Sequence, residues 1–340
     1  MTATTDATAS RIRRVAPSFR SAAILIVGTV LAIVVGPSLG AYQQDLLTSL
    51  LLYAAGATAW NLVGGMGGQF SLAHSIFIGA GSYTAVLVLR DFDVPPLAAI
   101  MAAALGGGAI ALVVSVILFR LRGAYFTIGS MGLALGVLAW MTIWEFTGAT
   151  RGVNAPISRV PLPEEIFVFA VIAAALAIGV SIAIFHSRFG LRVMAVRDDE
   201  EVADSLGVSP FGTKVTVMMI SGLLTGLVGA LLAYQRISVE PFSAFSLNWT
   251  VTFVVMSIIG GLGTVWGPSL GAVLIYYGLT VQLQSVPVVS TIVSGLLLIV
   301  LIRFLPDGLL GGARTVQMAW KSRARTNAHS HRTTHKEETP

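Results

Sequence analysis

The sequence predicts an all-α polytopic membrane helix bundle of about ten transmembrane helices, with both termini cytoplasmic and a short cytoplasmic helix in its one long charged loop. Three observations predict this. The 340 residues are 55% hydrophobic and only 11% charged, with a mean hydropathy of +0.83, a composition that cannot cover a normally solvated surface. The apolar residues come in continuous runs near the ~20 residues that cross a bilayer, not in the period-two alternation of a membrane barrel. Backbone polar groups in lipid must be satisfied within the protein, so such runs are helices.

In chain order the spans read Ser21–Ala41, Leu46–Val63, Ala73–Leu89, Leu97–Phe119, Ala124–Phe146, Ile166–His186, Val215–Ile237, Leu247–Leu262, Ser269–Leu283 and Val286–Leu305. Arg11, Arg13 and Arg14 precede the first run, which is long for a signal-peptide core and lacks a small-x-small exit. It therefore reads as an uncleaved first span. Short cytoplasmic loops retain Lys and Arg. With the N-terminus inside, all but four of the 21 basic residues fall on the cytoplasmic side, and only Arg90, Arg151, Arg159 and Arg236 lie opposite. An even number of spans preserves that agreement.

The chain thus divides into a basic N-terminal arm (1–20), a membrane domain (21–310) containing the charged loop 187–214, and a polar C-terminal tail (311–340). His329, His331 and His335 in the tail read as part of a disordered segment, with metal binding as the alternative. The net charge of +5 needs no nucleic acid, because the basic residues sit where anionic headgroups and the insertion machinery favour them.

Several function classes are excluded or disfavoured by what the chain lacks. With no cysteine there is no disulfide, thiolate nucleophile or Cys-based metal site. No G-x-x-x-x-G-K-[S/T] occurs, and none of Lys214, Lys321 and Lys336 follows a glycine-rich turn, so ATP hydrolysis does not take place in this chain. An ion-coupled carrier needs ionisable stations deep in its spans. His74, Glu145, His186 and Arg303 all lie near span ends instead. An intramembrane enzyme needs convergent acid–base, nucleophilic or metal-binding groups, and no H-E-x-x-H or paired carboxylate is present within a span.

The loop Ser187–Lys214 is too long and too patterned for a simple connector. Asp198 followed three residues later by Glu201 has capping-box logic, acidic residues crowd the first turn, and Gly207 is placed to end the helix. The spacing predicts a short helix over Asp199–Leu206, which reads either as a solvated connector or as a docking element.

Glu201-x-Ala203-x-x-x-Gly207 resembles the EAA-type loop of bacterial ABC importer permeases, which seats a coupling helix in a groove of the ATPase subunit. Further blocks resemble the longer, M-type permease of branched-chain amino acid importers. The stretch Gly68–Thr84 is similar to an S-L-G-H-A-x-F-x-x-G-A-Y-T stretch, through Ser71, Leu72, His74, Phe77, Gly79, Tyr83 and Thr84. Leu121–Ile128 matches L-R-G-x-Y-F-x-I, Ser187–Asp198 matches S-R-F-G-x-x-x-x-A-x-R-D, and Gly260–Ala272 matches G-G-x-G-[ST]-x-x-G-P-x-x-G-A. The resemblance covers roughly residues 45–305. Thr147-Gly-Ala-Thr-Arg-Gly152 departs from the family's T-G-G-x-x-G.

The resemblance implies a permease subunit, not an enzyme, in the bacterial cytoplasmic (inner) membrane. It implies alternating access driven by two ATPase subunits that hold ATP-Mg, a second related permease, and an extracytoplasmic binding protein. No cofactor is expected in this chain. Asp198, Asp199, Glu200, Glu201, Ala203 and Gly207 would form the ATPase-coupling element, and Ser71, His74, Tyr83, Tyr125, Gly260 and Gly263 the translocation path. The cargo implied is a branched-chain or related hydrophobic amino acid, with urea or short amides as alternatives, and a free-standing channel or carrier as the alternative of another class. His74 beside Ser71 also reads as a structural hydrogen-bonding group. Gly222 with Gly226, and Ser221 with Thr225 and Gly229, read as helix-packing faces. The clusters Gly64–Gly68 and Gly260–Gly267 read either as broken-helix segments lining a path or as tight turns.

Overall fold

The computed structural model describes residues 19–281 and Leu296. The helices are α1 (Phe19–Val35), α2 (Ala41–Asn61, continuing as a π-turn over Leu62–Met66), α3 (His74–Asp91), α4 (Pro96–Leu118), α5 (Ala124–Ile143) and α6 (Pro163–Phe185). There follow α7 (Arg188–Asp198), α8 (Glu200–Ser205), α9 (Pro210–Arg236), α10 (Pro241–Ala244), α11 (Leu247–Gly260) and α12 (Gly267–Ala272, continuing as π-helix over Val273–Val281). Proline opens α4, α6, α9, α10 and α12 within the first two positions, where its missing N–H costs nothing and its fixed φ suits the helix.

Six helices are long and apolar enough to cross a membrane: α2, α4, α5, α6, α9 and α10 joined to α11. They match expected spans to within a few residues. Helix α3 also occupies an expected span and is 18 residues long. It carries Ser, Tyr and Thr side chains and ends on Arg90 and Asp91, and it is walled in chiefly by α4 and α9. Its polar atoms therefore meet protein instead of lipid, which is why its sequence can be less apolar than its neighbours'. The expected Ser269–Leu283 span is a turn and a half of α-helix followed by π-helix up to Val281. The expected Val286–Leu305 span, the N-terminal arm and the C-terminal tail lie outside the described residues.

Helix α9 is 27 residues long, about 40 Å at 1.5 Å per residue, and the bundle is arranged around it. Helix α3 runs parallel to it, with His74 beside Ser221 and Ser82 beside Gly229. Helices α2 and α4 run antiparallel, with Asp45 beside Gln235 and Tyr234 beside Pro96. In a bundle that lipid cannot squeeze together, attraction comes from close backbone approach, and the glycines locate it. A Cβ at Gly226 would lie 2.6 Å from Ala103 O, one at Gly222 2.8 Å from Gly107 O, one at Gly81 2.1 Å from Gly226 O, and one at Gly229 2.3 Å from Ile78 O. The α3–α4–α9 contact is therefore backbone against backbone.

This arrangement sorts the charges. Arg120, Arg188, Arg197 and Lys214 gather at the end that carries α8. Arg90, Arg159 and Arg236 gather at the other, where Arg90 pairs with Asp91, Arg159 Nη2 lies 3.2 Å from Asp93, and Arg236 sits 5.1 Å over the Trp249 ring. At that same end Val153 pairs with Val239 and Asn154 with Ser238 in a two-stranded ribbon, β1 (Val153–Asn154) with β2 (Ser238–Val239). The departure at residues 147–152 falls in this region. Ala149 holds φ +49 between Gly148 at +78 and Gly152 at +70, so the alanine occupies left-handed backbone that a second glycine would adopt without strain.

Gly226→Ala is expected to destabilise the bundle by about 1–3 kcal/mol, since its Cβ meets backbone atoms that cannot rotate away. Gly132→Ala and Gly136→Ala, whose Cβ atoms meet nothing within 4 Å, are expected to be neutral or to stabilise by up to about 1 kcal/mol through helix propensity. Thermal unfolding of the three variants in one detergent checks the contrast.

Candidate functional site

The charged loop folds into α7 and α8 against the feet of α6 and α9. Ser187 caps α7 by accepting from Gly190 N at 3.0 Å, and a Cβ at Gly190 would fall 1.9 Å from Ile184 O. Only glycine lets α7 fold back this closely on the end of α6. Val193 and Val196 are buried on one face of α7, while the charged face is open.

Helix α8 is capped by Asp199, not by Asp198. Asp199 Oδ1 accepts from Glu201 N at 2.9 Å and from Val202 N at 3.0 Å. Asp198 still belongs to α7, whereas Asp199 has the extended backbone (φ −160°, ψ 116°) that an N-cap requires. The helix ends where expected, at Gly207 with φ +80°, and Val208 N donates back to Ala203 O at 3.0 Å. Ala203 is buried against the body. One turn apart, Val202 and Leu206 are 55% and 76% exposed on a helix otherwise rich in carboxylates. Asp198 and Glu201 are also exposed. Glu200 forms an ion pair with Lys214, whose side chain is nearly buried at the base of α9 and lies 5.8 Å over the Phe119 ring.

The two glycine clusters meet beside this loop. Asn61 Oδ1 accepts from Gly263 N and Asn61 Nδ2 donates to Thr264 O, both at 2.9 Å. Arg197 Nη1 donates to Gly65 O at 2.9 Å. The clusters are therefore not two independent turns but one joint between the end of α2 and the α11–α12 connection. Gly260 packs where α11 meets α12, its Cβ position 1.7 Å from Gly267 O, and Gly263 has φ +70°. Sequence reasoning did not single out Asn61 or the reach of Arg197. A lone amide three residues before Gly64, in an otherwise apolar run, is the signal that marks Asn61.

Ser71, His74 and Tyr83 are buried. The Trp60 indole donates to Ser71 O at 2.8 Å. Ser221 Oγ donates to Ala59 O at 2.6 Å and lies 2.8 Å from His74 Nε2. Because the serine proton is committed to the carbonyl, His74 must carry its own proton on Nε2, and Nδ1 is left as a bare acceptor with no partner among the described residues. Tyr83 stacks on Phe245 at 5.8 Å. Tyr125, by contrast, is 76% exposed near the start of α5. The structure thus brings Ser71 and His74 together, sets Gly260 and Gly263 in the glycine joint, and leaves Tyr83 and Tyr125 apart from both.

Two of the larger cavities among the described residues lie at the end remote from α8. One of about 260 Å³ is lined by Tyr53, Arg236, Phe242, Ser243, Ser246, Asn248, Trp249 and Thr252. The other, about 280 Å³ and more apolar, lies between the starts of α2 and α6 and the end of α9. Among the described residues no cluster of His, Asp or Glu could hold a metal ion.

Residues 42–302 match the family model described as branched-chain amino acid transport system / permease component. The chain is 25% identical over 304 residues to the high-affinity branched-chain amino acid transport system permease protein LivM of Escherichia coli (strain K12), covering 78% of this chain and 69% of the relative. The LivM protein of Salmonella typhimurium is equally similar, at 25% over 304 residues with the same coverage. This chain is 21% identical over 263 residues to the probable branched-chain amino acid transport permease protein LivH of Methanocaldococcus jannaschii, covering 71% of this chain and 82% of the relative. No solved structure matches. The family match spans most of the chain, including every element around the charged loop and the glycine joint, and the chain belongs to the branched-chain amino acid transport system permease family.

Proposed function

We propose that the chain is the translocation subunit of an ATP-driven importer of branched-chain or related hydrophobic amino acids, working by alternating access. In this reading it pairs with a second related permease, two ATPase subunits that bind ATP-Mg, and an extracytoplasmic binding protein. It lies in a bacterial cytoplasmic membrane, with about ten spans and both termini on the side of α8. Asp198, Asp199, Glu200, Glu201, Ala203 and Gly207 form the coupling element. Ser71, His74, Tyr83, Tyr125, Gly260 and Gly263 are the candidates to border the path.

The observation that carries the reading is α8 itself. It is fixed to the body by Ala203 and by the Glu200–Lys214 pair, yet it turns two apolar side chains, Val202 and Leu206, outward among carboxylates. A solvated connector gains nothing from exposed Val and Leu one turn apart. A helix that sits in a groove of another protein needs them as anchors. The relatives' transport function supports the cargo class, and the scarcity of ionisable residues within the spans favours an external energy source over ion coupling. Tight binding within the path would slow release, so high affinity is assigned to the binding protein.

ATP-dependent uptake of labelled leucine, isoleucine and valine by vesicles carrying the reconstituted complex tests the reading. Uptake is expected with the wild-type chain and loss with Glu201→Arg plus Gly207→Leu. Equal uptake without ATP would instead identify a channel or carrier, and movement of urea or short amides alone would reassign the cargo. Val202→Glu combined with Leu206→Glu is expected to abolish co-purification of the ATPase while leaving the melting temperature of the isolated chain unchanged, because both side chains already face solvent.

The Glu200–Lys214 pair has its own signature. Glu200→Lys is expected to cost about 1–3 kcal/mol, below the roughly 3–5 kcal/mol of breaking a fully buried pair, because Glu200 is partly open to water. The double exchange Glu200→Lys with Lys214→Glu is expected to recover part of that loss, read as thermal stability and as ATPase co-purification.

A further inference from the structure

Besides the burial of Ala203, two polar ties among the described residues hold the α7–α8 loop to the membrane body. One tie is the Glu200–Lys214 pair, which fixes α8 to the foot of α9. The other is Arg197, in the last turn of α7 and two residues before the Asp199 cap.

Among the described residues Arg197 pairs with no carboxylate; its Nη1 donates to the Gly65 carbonyl at 2.9 Å. Its aliphatic stem lies on Gly68, where a Cβ would stand 2.7 Å from Arg197 Cγ, and its Nη1 is 3.1 Å from the Cβ position of Gly263. Gly68 and Gly263 both hold left-handed backbone, at φ +69° and +70°. A Cβ at Gly65 would stand 2.5 Å from Gly263 N. Asn61 pins the same two segments together through Gly263 N and Thr264 O. Three glycines from two broken helices thus form a notch that fits one guanidinium and its stem; a Cβ at Gly65 would meet main chain, and one at Gly68 or Gly263 would crowd Arg197 from left-handed backbone.

Resting on the reading of α8 as the coupling helix, we infer that Arg197 is the positioning residue that transmits movement of α8 to the glycine joint between α2 and the α11–α12 connection, and that this joint is the inner gate. The Glu200–Lys214 pair acts as the fulcrum on the rigid α9 shaft, and Arg197 is the arm. The joint is built to change: a π-turn leads into it from α2, positive-φ glycines flank it, and its hydrogen bonds are made to carbonyls that other donors or water can take over. Loss of the fulcrum disables docking. Loss of the arm leaves docking intact and disconnects the gate.

The test uses the complete importer in vesicles. Arg197→Ala is expected to retain ATPase co-purification and ATP hydrolysis within about twofold of wild type, while amino acid moved per ATP hydrolysed falls about tenfold. Arg197→Lys, which keeps one cation and one donor but not the fork, is expected to recover part of that ratio. Because the chain has no cysteine, Leu262→Cys, at an exposed site beside Gly263, reports on the joint. Its maleimide labelling is expected to depend on nucleotide with Arg197 present and to lose that dependence in Arg197→Ala. A wild-type transport ratio with nucleotide-dependent labelling in Arg197→Ala overturns the inference, as does parallel loss of ATP hydrolysis and transport, which would assign Arg197 to docking. If Arg197→Ala does not assemble, the same ratio in Arg197→Gln decides, and a wild-type value there overturns the inference. Absence of ATP-dependent uptake by the wild-type complex would instead sink the functional reading on which it rests.

Discussion

The bundle depends on how closely α9 approaches α3 and α4. Helices in lipid have no hydrophobic drive to associate, so the contact between them must come from packing and hydrogen bonding. Gly81, Gly107, Gly226 and Gly229 bring main chain against main chain in that contact, and Gly222 makes room there for Gly107 and the Ala111 methyl. The short hydroxyl groups around it bond main-chain carbonyls: Ser82 to Gly229 at 2.8 Å and Ser221 to Ala59 at 2.6 Å. A three-helix centre held backbone to backbone has few rotamers to exchange. Close packing of this kind is poorly compressible and transmits strain, so α9 can serve as a shaft running from the Arg236 end to the Lys214 end.

The polar residues follow from this rigidity. Buried polar atoms in a membrane domain must find partners inside it, and here several of them bind the backbone of a neighbouring helix, while others bond a carbonyl of their own helix. Ser130 accepts from Leu72 N at 2.9 Å, Thr250 from Ser75 N at 2.8 Å, and the Trp60 indole donates to Ser71 O at 2.8 Å. The segment Gly68–Thr84 is thereby tied to α2, α5, α9 and α11. His74 belongs to the same set of ties through Ser221, and its bare Nδ1, like Ser75 Oγ and Tyr83 OH in the same segment, has no hydrogen-bond partner among the described residues.

Helix type and order were legible because continuous apolar runs admit one spanning structure, and the distribution of Arg and Lys separated the two ends. The short helix α8 was legible from its acidic first turn and Gly207, although the cap moved by one residue. A carboxylate pattern alone does not say which of Asp198 and Asp199 leaves helical geometry. The closeness of α9 to α4 was half legible: Gly222 and Gly226 marked a packing face, but nothing local named Gly107 as its counterpart. Least legible was the glycine joint. Gly64–Gly68 and Gly260–Gly267 lie about two hundred residues apart, and what joins them is one amide, Asn61, with two hydrogen bonds, and one arginine that counted in the sequence only as a cytoplasmic charge. Long-range pairing by a single side chain leaves no periodicity to read.

Rigidity at the centre and flexibility at one joint are complementary requirements. A gate that opens by bending everywhere would dissipate a small displacement of a peripheral helix across the bundle, whereas a displacement applied between a rigid shaft and a single jointed neighbour concentrates there. Glycine meets both needs by different means. Within α9, α4 and α3 it has ordinary helical backbone and serves by lacking a Cβ, which brings backbones into contact. At Gly68 and Gly263 it has positive φ and serves by permitting backbone that other residues resist. The 36 glycines of the chain thus include two populations with opposite mechanical effects, and the short loop carrying Arg197 and Glu200 is attached to one of each.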